Sequence, residues 1–204
     1  MALVVTLFLS AIGGALVLLA STETRIAGGE TWRAEARGIA EVLLERVFQD
    51  LLLTPDWTAA LSAGAGATFR DTTAPPPAVS AAAHDLTTLT LNVQRESDDS
   101  NRWGPEGPRW RLYAFGPADR LFAASAAAGS GSTGREPAAA FYAVAWVADD
   151  PGEGDGNPGA DRNETVQVRA DAFGPLQTRC AILATVRRRS GTLQVVSWRN
   201  PDAP

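Results

Sequence analysis

MALVVTLFLSAIGGALVLLASTETR, residues 1–25, decides how this chain is to be read. No charged residue occurs before Glu23. An apolar helix of this length spans roughly 30 Å, the thickness of a bilayer's hydrocarbon core. A secretory signal needs a basic start, a shorter apolar stretch and a small-x-small cleavage site. Here no basic residue precedes the run, and Leu18 stands three residues before the candidate cut after Ala20. A single-pass anchor is therefore the expectation. The helical pattern does not stop there. Trp32, Ala36, Ile39, Ala40, Leu43, Leu44, Val47 and Leu51 recur at three- and four-residue steps, and Glu30, Glu35, Arg37, Glu41, Glu45, Arg46 and Gln49 fill the opposite arc. Arg37 and Glu41 are spaced to pair weakly. Pro55 is the first helix breaker. The spacing predicts one helix, apolar all round in its first half and amphipathic in its second.

The remainder is a different kind of sequence. Residues 54–85 and 123–139 are rich in Ala, Gly, Ser, Thr and Pro and read as long loops. Six segments read as strands: residues 86–93 (LTTLTLNV), 109–115 (RWRLYAF), 140–148 (AFYAVAWVA), 165–172 (TVQVRADA), 179–188 (RCAILATVRR) and 192–198 (TLQVVSW), with a hairpin turn at Ser190–Gly191. Val166, Val168 and Ala170 alternate with Gln167, Arg169 and Asp171. Such alternation predicts antiparallel strands with one face covered by the amphipathic helix. The fold expected is α+β: a long N-terminal α-helix (a transmembrane half plus an amphipathic half, residues 1–53) packed on an antiparallel β-sheet head (residues 54–204).

Composition narrows the function. The chain of 204 residues carries a net charge of −5, which argues against nucleic acid as a partner. Every basic residue is Arg. The single Cys180 excludes an internal disulfide, and as a strand residue it reads as a small buried hydrophobe. His84 is the only histidine and lies beside a loop, so nucleophilic catalysis is not expected and no catalytic residue is assigned. Arg187, Arg188 and Arg189 read as a solvated hairpin tip or an anionic-partner contact.

One segment has the chemistry of a cation site. Within residues 149–164, Glu153, Asp155, Asn157, Asp161 and Glu164 fall at positions one, three, five, nine and twelve, with Asp150 just before them. Calcium takes six to eight oxygens, and this is the spacing of a helix–loop–helix calcium loop. Pro158 stands where such loops have Gly, and the flanks read as strands. A polar turn is the competing reading.

The N-terminal sequence through "AEARGIAEVLLERV" and the C-terminal "VQVRADAFGPLQTRCAILATVRRRSGTLQVVSWRNP" resemble a type IV pilin-like protein, of the flavour of PilX-type minor pilins and the related K-type minor pseudopilins of type II secretion. The resemblance covers both ends, about half the chain. It implies a pilin-like fold and the processed form of the chain, or a late start codon, since the basic leader ending in Gly is absent. It implies an assembly helix that uses Met1, Val5, Leu7, Phe8, Leu9, Ile12, Gly13, Gly14, Leu16 and Leu18. Most pilins carry Glu at the fifth mature position, paired with the neighbouring subunit's amine; Val5 departs from that pattern and points to a tip or priming subunit. The implied partners are other minor and major pilins, the inner-membrane assembly platform, the membrane, and a large tip adhesin. The implied location is the inner membrane, single pass with a periplasmic head, before assembly, and an extracellular filament after it. Calcium is the one cofactor to consider. The competing function is a single-pass, membrane-anchored periplasmic binding module with no filament.

Overall fold

A computed structural model describes residues 2–62, 66–71, 85–99, 107–126 and 140–201; within these, the side chains of residues 2–11, 21, 24–26 and 123–126 are not described. His84 lies outside the described residues. The elements in chain order are α1 (Ala2–Leu53), α2 (Trp57–Leu61), α3 (Leu86–Asp99), β1 (Arg111–Pro117), α4 (Ala118–Ala126), β2 (Tyr142–Asp149), β3 (Thr165–Phe173), a 3₁₀ turn (Pro175–Gln177), β4 (Arg179–Arg189) and β5 (Thr192–Arg199). The five strands form one antiparallel meander in the order β1-β2-β3-β4-β5. Ser190 and Gly191 turn the last hairpin with both φ angles positive, as a two-residue primed turn requires.

The second half of α1 lies across one face of this sheet. Ala36, Ile39, Ala40, Leu43, Leu44, Val47 and Leu51 are buried on it, against Ala143, Ala145, Val168, Ala170 and Ala184. Covering each Leu contributes about 1.5–3 kcal/mol, so this stripe dominates the attachment of helix to sheet. Its small Ala residues leave room for the sheet to approach.

The helix stops where Pro55 removes a donor, and the two residues just past its end are held from the far end of the chain. Arg188 Nη1 donates to Thr54 O at 2.7 Å and Nη2 to Pro55 O at 2.9 Å, while its guanidinium lies 4.9 Å over the Trp57 ring. The fully buried Trp57 donates from Nε1 to Leu51 O at 2.8 Å. The Arg triplet is therefore not simply a solvated tip: Arg188 is a largely buried clamp on the segment that follows α1. Arg188→Ala removes two hydrogen bonds to backbone carbonyls, the ion pair with Glu164 and a cation–π contact, and we expect it to cost about 2–4 kcal/mol in denaturant unfolding. Arg189→Ala, one residue on and exposed, serves as the neutral control.

Three expectations are corrected. First, residues 86–93 are not a strand. Leu86, Leu89 and Val93 stand at helical spacing, Asp85 accepts from Thr87 N at 3.3 Å, and the Thr90 hydroxyl bonds back to Leu86 O. The threonines that imitate strand alternation are the exposed and half-buried sides of α3. Second, the sheet is covered on both faces. α3 lies on the face opposite α1, and Leu89 and Val93 join Trp110, Tyr142, Val144, Trp146 and Leu183 in a second core. Third, the transmembrane half fails. Among the described residues, no helix is long and apolar enough to cross a membrane. The single-pass anchor and the inner-membrane location go with it.

Candidate functional site

The acidic loop, residues 150–164, joins β2 to β3. Gly154 and Gly156 take φ of +68° and +74°, left-handed positions suited to Gly. Two Asx-type turns follow, with Asn157 N donating to Asp155 Oδ1 and Gly159 N to Asn157 Oδ1. Thr58 of α2 ties down the far limb through Asp161 N and O, both at 3.2 Å.

This fold brings Asp149, Glu153 and Asp161 together, with one carboxylate oxygen of each within 4.8 Å of the others. A cavity of about 10 Å³, room for one water-sized particle, lies beside Asp149 and Glu153. Asp149 ends β2, is 5% exposed, and accepts from Asp150 N at 2.9 Å. Burial pushes its carboxyl up to about 7, and the charges of Glu153, Asp161 and Asp155 push the same way. Burial also raises Asp161, against the Thr165 N–H that it accepts. Three carboxylates gathered in this way form a donor set that can hold a hard cation.

Of the six residues singled out in the sequence, Glu153 and Asp161 belong to this cluster of three, and Asp150, Asp155 and Asn157 line the small cavity beside it. Asp150 accepts from Asn163 Nδ2 at 3.5 Å, Asp155 pairs with Arg162 Nε at 3.1 Å, Asn157 closes its Asx turn, and Glu164 pairs with Arg188 at 3.1 Å. Strands flank the loop, so its ends are fixed by β-pairing (Asp149 opposite Val166) and not by the two helices of a helix–loop–helix site. Asp149 enters the cluster from the strand end, outside the twelve-residue count.

A second concavity, about 480 Å³, opens between α3 and the 3₁₀ turn. Its charged wall is a chain of ion pairs. Arg169 is buried between Glu96 at 2.7 Å and Asp171 at 2.8 Å, and Arg179 reaches Asp171 at 2.6 Å. Sequence reading missed this group. Gln167, Arg169 and Asp171 alternate as a wet face should, and the helix that covers them had been read as a strand.

The stem residues lie on α1. Val5, Leu7, Phe8 and Leu9 are in the helix with side chains that are not described, and Met1 is outside the described residues. Ile12 is 43% exposed, Leu16 61% and Leu18 69%. A Cβ added at Gly13 or Gly14, or at Gly28 or Gly29 further along, would meet nothing within 4 Å, so no contact among the described residues requires glycine there. No family model matches this chain, and neither the curated proteins nor the solved structures contain a match to it.

Proposed function

We propose that this chain is an assembly subunit, in the tip or priming position that its likeness to minor pilins implies. In this reading α1 is covered by helices of neighbouring subunits, and the sheet head carries a calcium-binding loop. One observation carries the assembly reading: a helix continuous with the head's core presents Ile12, Leu16, Val17, Leu18 and Leu19 to solvent. Exposed patches of this kind mark interaction surfaces. Each Leu would contribute about 1.5–3 kcal/mol when another helix covers it. The glycine pairs support the same reading, because residues without side chains allow a neighbouring helix to approach closely. A helix partner also satisfies the ordering of the stem, since isolated helices are marginal in water without tertiary packing.

Calcium is the cation proposed for Asp149, Glu153 and Asp161, since an all-oxygen set of carboxylates suits a hard ion. Its place is structural: it would join the end of β2 to the limb that Thr58 holds. The assembly reading is tested by sedimentation of the full chain without detergent. The wild type is expected to associate with rising concentration, and Leu16→Glu with Leu19→Glu to leave it monomeric with the head's melting temperature unchanged. A wild type that stays monomeric at every concentration refutes the reading.

A further inference from the structure

The two edges of the sheet are not alike. β1 is closed on its outer side, where Ala67 N donates to Tyr113 O at 2.8 Å and Asp71 N to Phe115 O at 2.9 Å. Between Thr192 and Trp198, β5 receives no such backbone bond among the described residues. Val195 is 50% exposed, Val196 57% and Trp198 46%. Val195 pairs with Val186 and Trp198 with Ala184, and both partners belong to the core beneath α1. The edge therefore extends the core's apolar face outward into solvent. A long apolar edge is a template for another strand, and proteins usually block it with charge, Pro or a cover. Here the one interruption is the bulge at Val196, itself apolar.

Charge selects the occupant. Residues 187–199 hold four Arg and no carboxylate, in a chain of net charge −5. Glu164 takes up Arg188, while Arg189 at the hairpin tip is exposed. A second copy of this edge would bring the same cationic strand against itself. We infer that β5 is a strand-addition site for an extended segment of a partner protein, apolar at alternate positions and acidic at its ends, of about the length of the 8-residue β5. Main-chain bonds supply the affinity, Val195 and Trp198 receive the alternate side chains, and the flanking arginines set polarity and preference for acid. The site does not depend on the stem, because Leu16 and Leu19 lie outside the core cluster against which Leu193 of β5 packs.

The test uses the full chain and a labelled synthetic peptide, Glu-Glu-Val-Thr-Val-Thr-Val-Glu-Glu, with an otherwise identical peptide carrying Arg for Glu. The acidic peptide is expected to bind saturably, at least tenfold tighter than the Arg peptide, more weakly as salt rises, and with amide-exchange protection along β5. Val195→Glu should weaken it at least tenfold without moving the melting temperature, since Val195 is half exposed. No saturable binding, equal binding of the two peptides, or protection confined elsewhere overturns the inference. So does self-association, seen by sedimentation without peptide and abolished by Val195→Glu, which would make a second copy the occupant.

Discussion

Asp171→Ala is expected to cost the head about 3–5 kcal/mol, the largest loss from any single polar side chain. Asp171 is 1% exposed and is shared by two guanidiniums, Arg169 at 2.8 Å and Arg179 at 2.6 Å. Removing it leaves Arg169, whose side chain is 5% exposed, with Glu96 as its remaining carboxylate partner, and that residue's own side chain is 44% exposed. A buried cation stripped of its partner carries the full desolvation penalty, whereas an exposed pair contributes little. The contrast is the check. Glu96→Gln, on the wet side of the same network, should cost about 1 kcal/mol or less. Chemical denaturation of both variants measures the difference. Equal, small losses would show that the network is solvated and that α3 does not seal the sheet.

Asp149→Asn is expected to stabilise the metal-free protein above pH 7 and to remove its response to calcium. The folded-state carboxyl sits at about 7, against about 4 in an unfolded chain. A raised pKa means that the folded state holds the proton more tightly. The stability linked to that proton is fully present below about pH 4 and is lost as the pH rises through 7. At about 1.4 kcal/mol per pH unit, the loss by pH 8 is on the order of 4 kcal/mol. The amide keeps the shape, carries no charge, and removes this dependence. In the wild type at pH 8, calcium at a hundred times its dissociation constant should return about 2.7 kcal/mol; at pH 5 it should return less, because protons compete for the same oxygens. Thermal melts of both proteins from pH 5 to 8, with calcium and with chelator, decide the matter. Parallel pH curves and no calcium shift in the wild type would remove the cation site.

Much of the sheet was readable in advance because side-chain direction in a strand has a period of two, which needs no tertiary partner to appear. The segments that became β1, β3 and β4 announced themselves this way, β2 stood out as a run apolar on both faces, and Ser190–Gly191 announced the last turn. The helical stripe from Ala36 to Leu51 was equally plain. The segment that misled was LTTLTLNV. Its Leu and Thr residues satisfy a period of two, but Leu86, Leu89 and Val93 also satisfy three and four, and short apolar runs carry both patterns. The cap at Asp85 and the apolar face of β2 beneath it resolved the choice.

The sequence alone determined which side chains share a face: the apolar set of β3 against its polar set, and the buried arc of α1 against its charged arc. It also marked the acidic run of residues 149–164 between two strands. Only the tertiary structure decided which faces are dry. α3 seals the face that holds Gln167, Arg169 and Asp171, turning an apparently wet row into a buried ion network. The choice of Asp149, Glu153 and Asp161 out of a longer acidic run is likewise three-dimensional. Periodicity is a property of the backbone and survives in one dimension. Burial and convergence depend on which other segment arrives, and that is settled by packing.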